Sequence, residues 1–547
     1  MRAGDERTPA LSGIQLWLDQ LPRWRLYVVA LATGAFSALA YAPFYVTPAL
    51  AVGLCLLVWL VDGAARHYRP IRAAFGRGWT FAFGHFFAGT YWVGAAFTQV
   101  DGAMALMPLG VLGLPALLAL FWGAAMMVAV RLWTADSRRI GAFAAALILA
   151  EVARGHLFGG LPWNLGGYTW AAGTALSQVA AFVGIYGVTA LTLLVLSTPA
   201  TLADSHRGWA ARATPAMIAA LVLGLLWGAG NARLEAAGPV DPLKGGVIVR
   251  VVDPGYSQRD KWAEIPGREQ EVLSRYLELT GPATDDNADQ VVVWPEGAIP
   301  ARYPQMPVLM ENPDMLDALG RTLGDRVLIM GATRIEYDNN GAPENYYNAG
   351  VVVDGVSGKA EIRQWHDKHR LTPFGEFIPA FDLISWLDIP TLQQIGTGFT
   401  PGDPPSRVVI PGTEDALILI CYESIFPGLV PRGADRPGWI ANISIDAWYG
   451  KGAGPFQNDN QSRYRAIEEG LPMARAASGG VSSITDPYGR KVVEVGREGG
   501  AVEAALPEPL PETINARFGL LLTPLLILLI AFLRFAPPGA PARGFRS

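Results

Sequence analysis

Three short stretches of this chain carry a reactive side chain, and in two of them that side chain directly follows an apolar run. Cys421 follows the aliphatic residues 417–420, Glu296 follows the run VVVWP, and Lys368 lies in the stretch WHDKHRLTPFGE. A cysteine thiol is a nucleophile once it has lost its proton, a carboxylate can accept that proton, and an ammonium group can stabilise developing negative charge. Each residue also has a plainer explanation, because free cysteines are often buried and single Glu or Lys side chains are usually solvated.

The elements that must position these residues belong to a region with α/β character, from about 245 to 506. Continuous aliphatic runs indicate buried strands, since they have no polar face to present to water. We predict strands at 246–252, 290–294, 326–330, 349–353, 416–420 and 439–443, and helices at 269–279 and 458–469. The stretch 463–480 also has a helix-like pattern. Strands that alternate with helices predict a layered α/β fold.

The chain is too apolar for an ordinary soluble protein, and long apolar segments fill its first part. Hydrophobic residues make up 51% of the sequence and charged residues 17%, and the mean hydropathy is +0.25. A bilayer requires roughly 20 apolar residues per helix. We therefore predict spans at 27–43, 47–64, 78–98, 105–132, 140–154, 179–202 and 215–230, with an eighth at 518–532.

Arginines indicate the orientation of these spans. They precede the first span, fall between the second and third, follow the fourth and sixth, and recur after the last. Basic residues concentrate in cytoplasmic loops, so we predict that both termini are cytoplasmic. We expect a transmembrane domain at 1–240, a periplasmic catalytic domain at 241–511, and a final transmembrane helix with a cytoplasmic tail at 512–547. The polar N-terminus does not have the pattern of a cleavable signal peptide.

Charge and cysteine content exclude several classes of protein. A net charge of −5 argues against a nucleic-acid partner. Cys55 and Cys421 are the two cysteines; Cys55 lies in an apolar segment, so we expect no disulfide, and Cys421 should be a free thiol. The sequence indicates no metal and no organic cofactor, and we expect a monomer.

Taken together and in order, the three stretches resemble the motifs of the nitrilase, or carbon–nitrogen hydrolase, superfamily, whose members use a Glu–Lys–Cys triad. The resemblance implies that Glu296 is the general base, Lys368 the electrostatic stabiliser and Cys421 the nucleophile. Glu376 matches a second family glutamate that orients the lysine. Tyr422 and Glu423 match residues beside the nucleophile, and the main-chain N–H of Tyr422 is a candidate for the oxyanion hole.

A nitrilase-like domain between several N-terminal spans and one C-terminal span resembles the membrane-embedded branch, the apolipoprotein N-acyltransferases. PWNLGGY (162–168), ICYESIFP and DAWYG (446–450) carry this resemblance. It implies transfer of an acyl chain from a membrane phospholipid, through a cysteine thioester, to the α-amino group of diacylglyceryl-modified apolipoproteins in the bacterial inner membrane. Trp262 and Trp448 match substrate-binding tryptophans, although either could equally be a core or interfacial aromatic residue. The segment 374–387 resembles a lid, with a core helix as an equal alternative.

Some positions depart from the family pattern. Ile445, Asn458 and Gly297 replace the usual Asn, His and Ser or Thr, and Asp253-Pro254-Gly255 replaces Gln-Pro-Asn. These departures leave open a diverged enzyme with another acyl donor or acceptor. A membrane-tethered amidase that uses the same triad is a second alternative. A transporter or scaffold with an inert nitrilase-like domain is a third.

Overall fold

The computed structural model describes residues 10–99, 103–204, 208–256, 261, 265–282, 289–299, 313–355, 358–378 and 398–535. Within these residues the α-helices are α1 (Ala10–Gln20), α2 (Arg23–Ser37), α3 (Thr47–Ala65), α4 (Pro70–Thr90), α5 (Leu114–Arg131), α6 (Arg138–His156), α7 (Ala180–Ser197), α8 (Trp209–Ala237), α9 (Arg268–Thr280), α10 (Pro313–Leu323), α11 (Gly454–Glu469) and α12 (Ile514–Phe532). The strands are β1 (Ile248–Asp253), β2 (Asp289–Val293), β3 (Val327–Tyr337), β4 (Pro343–Asp354), β5 (Glu361–Asp367), β6 (Ala416–Ile420), β7 (Trp439–Ile445), β8 (Met473–Ser478), β9 (Ser482–Thr485), β10 (Lys491–Val495) and β11 (Gly500–Ala505).

The N-terminal helices form an α-helical membrane domain. Five helical segments of the described chain are long and apolar enough to cross a bilayer: Thr47–Ala65, Ala103–Arg131, Arg138–Gly159, Leu176–Ala203 and Trp209–Ala237. The other three predicted spans coincide with α2, α4 and α12, of which α2 has 15 residues and α12 contains a shorter apolar stretch, Leu521–Phe532. The predicted architecture is therefore correct, and the predicted number of spans matches only roughly.

Helices α2 and α4 show how this domain packs without a hydrophobic driving force between helices. Gly34 of α2 and Gly84 of α4 lie where the two backbones approach most closely. A Cβ added at Gly34 would lie 1.9 Å from the carbonyl oxygen of Phe81, and one added at Gly84 would lie 2.1 Å from that of Leu31. Small residues at such crossings are the usual means of close helix packing in a bilayer.

The C-terminal half is a sandwich of two sheets with helices outside. One sheet has the strand order β11-β1-β2-β3-β4-β5 and the other β10-β9-β8-β7-β6. Alternate residues of the central strands form the core between the sheets, for example Val291, Val293, Ile418 and Ile420. The opposite faces of these strands pack on α9 and α10 in the first sheet and on Ala466 of α11 in the second. The predicted layered α/β fold is thus present, and its layers form an αββα sandwich.

Two details of the sequence interpretation are wrong or incomplete. The stretch 463–480 is not one helix, because α11 ends at Glu469 and β8 begins at Met473. Gly470 adopts φ +67°, and Pro472 follows, a combination typical of a helix terminus. Strand β6 has the predicted bounds, whereas β5 and β8–β11 were not predicted.

Helix α11 joins the two domains. Tyr464 and Ile467 pack into the apolar core of the membrane domain, while Ala466 packs on the outer face of the second sheet. The Tyr464 hydroxyl donates a 2.6 Å hydrogen bond to the carbonyl of Trp170, and Asn460 accepts one of 2.8 Å from the main-chain N–H of Ala172. The α/β half is therefore fixed to the membrane domain through this helix.

Candidate active site

The three residues of the predicted triad follow strands whose carboxyl ends face the same edge of the sandwich. Strand β2 is parallel to β3, and β5 is antiparallel to β4, which is itself antiparallel to β3. Glu296 follows β2 and Lys368 follows β5, so both lie at one edge of the first sheet. Cys421 directly follows β6 of the second sheet. The structure brings all three residues together.

Glu296 is held by donors from three elements. The side-chain nitrogen of Asn348 donates to Oε1 at 2.6 Å, and the main-chain N–H of Ile445 donates to Oε2 at 3.0 Å. The Lys368 ammonium lies 3.8 Å from Oε1. Burial raises the pKa of Glu296 above the ordinary glutamate value, while Lys368 and hydrogen bonds from Asn348 and Cys421 act against that rise. A carboxylate with a raised pKa is a stronger proton acceptor than one in water.

Lys368 is paired more closely with Glu376 than with Glu296. Its ammonium lies 2.8 Å from Oε2 of Glu376, which also accepts the main-chain N–H of Thr372 at 2.7 Å. Burial opposes the charge of Lys368, but Glu376 and then Glu296 raise its pKa above the ordinary lysine value. For Glu376, burial acts to raise the pKa, and the Lys368 ammonium more than offsets this and lowers it. The lysine therefore stays charged, and Glu296 remains the carboxylate available for proton transfer.

Cys421 adopts an unusual backbone conformation at the point where β6 becomes a single 3₁₀ turn. Its φ of +49° is in the left-handed region, which costs roughly 1 kcal/mol for a residue with a side chain. Cys421 as a whole is 7% exposed, and its Sγ lies 3.9 Å from the hydroxyl oxygen of Tyr449. Burial, and next the negative charge of Glu296, raise the pKa of Cys421 to about 12. A thiol with this pKa is neutral near pH 7, so its reactivity depends on proton transfer to a base.

Glu423 secures the two loops that carry Cys421 and Lys368. The Glu423 side chain is fully buried. One of its oxygens accepts the main-chain N–H groups of His369 and Arg370, at 2.9 and 3.0 Å, and the other accepts that of Ile420 at 2.8 Å. The side chain of Tyr422 points away from these loops, since its hydroxyl donates to the carbonyl of Gly160 in the membrane domain.

Replacing Glu423 by glutamine is expected to destabilise the site without removing a reacting group. A glutamine has one acceptor oxygen and one donor nitrogen, so at least one of the three main-chain donors loses its partner and faces an N–H₂ group. We expect a loss of about 2–3 kcal/mol in stability, measured as a lower midpoint of thermal unfolding in detergent. The control is the substitution Glu494→Gln at an exposed position, which should leave that midpoint unchanged. An unchanged midpoint in Glu423→Gln would contradict this account of the residue.

Asn348 and a buried network behind the thiol were not predicted from the sequence. Asn348 donates from the same nitrogen to Glu296 and to Glu376, at 2.6 Å each. Asp446, which is fully buried, accepts hydrogen bonds from Ser444 and Arg475, both at 2.7 Å. The only signal for Asn348 is a polar residue directly before the buried run 349–353. For Arg475 the signal is weaker still, since it is only a charged residue within the alanine-rich stretch MARAAS.

Aromatic residues from the membrane domain form one wall beside Cys421. The ring of Tyr449 packs against Trp92 and Trp163, with centroid distances of 4.7 and 5.4 Å. Gln457 of α11 accepts hydrogen bonds from both indole N–H groups, at 3.0 and 2.7 Å. Trp448, half-buried, lies in the same turn as Tyr449, so the side chain next to the thiol is Tyr449. An apolar wall built partly by the membrane domain is suited to an acyl chain.

Two of the predicted features lie wholly or largely outside the described residues. Trp262 is one, and most of the segment 374–387 is the other. Next to Trp262, Lys261 is buried, and its ammonium donates to the carbonyl of Gly297 at 3.2 Å. Burial lowers the pKa of Lys261 to about 8, although Asp253 and Glu296 act to raise it. The lysine thus supports the turn that carries Glu296.

The departures from the family pattern fit the local structure. Ile445 contacts Glu296 through its main-chain N–H, so the bond does not depend on the side chain at that position. Gly297 adopts φ +53°, a conformation that favours glycine. Asn458 donates to Asp446 at 2.9 Å.

The arrangement contains the groups that acyl transfer requires. A neutral thiol lies beside a carboxylate of raised pKa, and an ammonium ion lies within 3.8 Å of that carboxylate. Within the part of the chain that the structure describes, no group of three or more His, Cys, Asp or Glu residues could hold a metal ion. Covalent catalysis through Cys421 is the chemistry that these residues favour.

Comparison with known families agrees with both halves of the structure. Residues 259–510 match the carbon–nitrogen hydrolase family, and residues 33–198 match the apolipoprotein N-acyltransferase N-terminal domain. The fold and the matches define a carbon–nitrogen hydrolase domain joined to a helical membrane domain.

Over nearly its whole length the chain is similar to proteins named apolipoprotein N-acyltransferase. The protein from Rhodopseudomonas palustris is 37% identical over 534 residues, which cover 94% of this chain and 96% of the relative. The protein from Bradyrhizobium diazoefficiens is 38% identical over 508 residues, which cover 91% of this chain and 92% of the relative. The protein from Caulobacter vibrioides is 37% identical over 492 residues, which cover 88% of this chain and 89% of the relative. The chain belongs to the apolipoprotein N-acyltransferase family, and it is an acyltransferase.

Proposed function

We propose that this protein transfers an acyl chain from a membrane phospholipid to the α-amino group of the N-terminal diacylglyceryl-cysteine of apolipoproteins, through a thioester on Cys421. One observation carries this proposal beyond the family membership. Tyr449 places its hydroxyl 3.9 Å from Sγ of Cys421, and its ring packs against Trp92 and Trp163 of the membrane domain. The nucleophile therefore adjoins the membrane domain, from which a lipid substrate arrives.

In the first half of the reaction, Glu296 accepts the thiol proton as Sγ attacks the ester carbonyl of the phospholipid. Lys368 and a main-chain N–H, for which Tyr422 is the candidate, stabilise the resulting oxyanion. The C–O bond then breaks, the departing alkoxide takes the proton from Glu296, and lysophospholipid leaves. Glu376 keeps Lys368 charged and in place, and Glu423 fixes the two loops. The acyl chain remains on Cys421 as a thioester.

In the second half, the α-amino group of the diacylglyceryl-cysteine attacks the thioester carbonyl. Glu296 accepts a proton from the amine, the C–S bond breaks, and the Cys421 thiolate takes a proton back. The products are an amide and the free enzyme, so the two half-reactions form a ping-pong cycle. The buried position of Cys421 limits the access of water to the thioester, which favours transfer to the amine over hydrolysis.

The location and the remaining assignments belong to the same proposal. Residues 1–240 form the transmembrane domain of an inner-membrane protein, 241–511 form a periplasmic catalytic domain, and 512–547 comprise a last transmembrane helix and tail. Both termini are cytoplasmic, as the arginine distribution indicates. Trp262 and Trp448 contact the substrate. The protein acts as a monomer, without a metal or an organic cofactor.

Mass spectrometry of the purified full-length protein tests the proposal. Incubation with phosphatidylethanolamine alone should add the mass of one acyl chain to the peptide that contains Cys421. Adding a synthetic diacylglyceryl-lipopeptide should remove that adduct and yield an N-acylated lipopeptide. A protein that forms no adduct, and that instead releases ammonia from soluble amides, would be an amidase. An adduct that no lipopeptide removes would contradict the proposed acceptor.

A further inference from the structure

The guanidinium group of Arg370 lies at the seam between the catalytic half and the membrane domain. Arg370 follows Lys368 by two residues, and its main-chain N–H is fixed by Glu423 at 3.0 Å. Its guanidinium carbon lies 5.1 Å from the ring centre of Phe426. Phe426 in turn packs edge-on against Tyr422, at 5.0 Å between the centroids, and Tyr422 is the neighbour of Cys421. A cation is thus held within a few side chains of the nucleophile.

The charge of Arg370 has no counterpart in the described part of the chain. No carboxylate of a described residue lies within ion-pair distance of it, and its Nε is buried without a hydrogen-bond partner. Two fully buried arginines, Arg465 and Arg475, are paired with Glu468 and Asp446 at 2.7 Å each, whereas the half-buried Arg370 has no such partner among the described residues. A buried donor without an acceptor is costly, so an unpaired guanidinium beside a reactive site indicates a position for an anion from outside the chain.

Exposed apolar side chains lie along the seam beside Arg370. The loop 157–160 of the membrane domain packs against this seam, since a Cβ on Gly160 would lie 3.1 Å from a ring carbon of Phe426, and one on Gly159 would lie 3.2 Å from Pro373. The adjoining apolar side chains are exposed: Phe158 at 82% and Phe374 at 60%. An exposed apolar rim beside an unpaired cation matches a ligand that has both acyl chains and a phosphate.

We propose that Arg370 binds the phosphodiester of the acyl donor and thereby selects phospholipids among the esters of the membrane. This inference rests on the proposed function. A guanidinium group suits this task because its planar N–H groups can bind two phosphate oxygens at once. The diacylglyceryl-cysteine acceptor has no phosphate. Arg370 therefore acts in the first half of the reaction and not in the second.

The test compares two acyl donors in the full-length protein, with Arg370→Gln and Arg370→Lys. The donors are phosphatidylethanolamine and p-nitrophenyl palmitate, which has no phosphate, and the readout is the rate of acyl-adduct formation on Cys421. For Arg370→Gln we expect a loss with phosphatidylethanolamine at least about tenfold larger than the loss with p-nitrophenyl palmitate, which corresponds to about 1.4 kcal/mol. For Arg370→Lys the loss with phosphatidylethanolamine should lie between that of the wild-type protein and that of Arg370→Gln, since lysine keeps the charge but not the paired N–H geometry. Transfer from preformed thioester to the lipopeptide should be affected no more than the reaction with p-nitrophenyl palmitate.

Arg233 provides the matched control. It also lies over an aromatic ring, at 5.0 Å from the centre of Tyr488, and one of its guanidinium nitrogens is likewise buried without a partner. The turn that contains Tyr488 joins β9 to β10 at the end of the second sheet opposite to Cys421, because β9 runs antiparallel to β8. Arg233→Gln should show no difference between the two donors. Equal losses with both donors in Arg370→Gln, or no loss with either, would overturn the inference.

Lipid binding separates this inference from the proposed reaction. In the Cys421→Ala background, Arg370→Gln should weaken the binding of fluorescent phosphatidylethanolamine and leave that of fluorescent diacylglycerol nearly unchanged. If the wild-type protein forms no adduct with any donor, the proposed reaction is wrong, and this binding difference still decides the role of Arg370. If Cys421→Ala and the double variant with Arg370→Gln bind the phospholipid with equal affinity, Arg370 does not bind the phosphodiester, whatever the catalytic result.

Discussion

Replacing Cys421 by serine or alanine is expected to abolish acyl transfer, with a loss of at least about 10⁴-fold. Alanine removes the attacking atom. Serine keeps the size of the side chain, but its hydroxyl is a far weaker acid than a thiol, and Glu296 is not a strong enough base to activate it. Neither substitution should unfold the protein, because each changes only the one atom beyond Cβ and leaves the backbone, with its φ of +49°, as it is. The measurements are the acyl adduct by mass spectrometry and the N-acylation of a diacylglyceryl-lipopeptide.

Cys55 is the matched control for this substitution. It is the other cysteine of the chain, it is also buried, and it lies within α3, where its thiol contacts the carbonyl of Leu196 at 3.6 Å. Cys55→Ala should cost about 1 kcal/mol of stability, through a small cavity, and should keep both the adduct and the transfer activity. Full N-acylation by Cys421→Ala would disprove the thioester mechanism. Equal losses in both variants would show that the assay reports unfolding.

Glu296 and Cys421 could be predicted from the sequence because each follows an uninterrupted apolar run, whereas Lys368 follows β5, whose sequence EIRQWHD is mixed. Strand β6 has the predicted bounds, and β7 extends the predicted strand by two residues. Such runs have no polar face, so tertiary context has little freedom to change them. The resemblance to a known family then supplied the chemical roles. The close contacts among Glu296, Lys368 and Cys421 come from the stacking of two sheets, which no local pattern reveals.

The unpredicted elements are those whose stability comes from their partners. Strand β8 has the sequence MARAAS, and alanine has little tendency to form strands. It is a strand because it pairs in parallel with β7 and because Arg475 forms a buried ion pair with Asp446. Helix α11 is polar in sequence and appears suited to the surface, yet nearly all of its residues are buried. Some of its polar side chains bond to the membrane domain, as Gln457 does to Trp92 and Trp163, at an interface that sequence periodicity does not encode.

Replacing Lys368 by methionine is expected to reduce both catalysis and stability. Methionine keeps the length of the side chain and removes the ammonium, so Glu296 and Glu376 lose the charge between them and share only Asn348. Leaving buried carboxylates without their partner costs roughly 3–5 kcal/mol. Loss of the oxyanion stabiliser should lower thioester formation by about 10²–10³-fold. Thermal unfolding and adduct formation measure the two effects separately.

The pH dependence of thioester formation should change in a defined direction. Glu296 must be ionised to accept the thiol proton, so activity is present above its pKa in the folded protein and is lost as the pH falls through it. Burial places that pKa above the ordinary glutamate value, and Lys368 lowers it. In Lys368→Met the acidic limb of the rate profile should therefore move to higher pH. A limb that stays in place would show that Lys368 does not act on the base.

A second substitution separates the catalytic role of Lys368 from its structural one. Glu376 accepts the 2.8 Å contact from the ammonium, so Glu376→Gln removes one of the two charges that Lys368→Met leaves unpaired. The double variant should recover most of the lost thermal stability. It should not recover thioester formation, because nothing replaces the ammonium beside the reacting carbonyl. If activity returned together with stability, Lys368 would be a structural residue, and the stabilisation of the oxyanion would have to come from main-chain N–H groups alone.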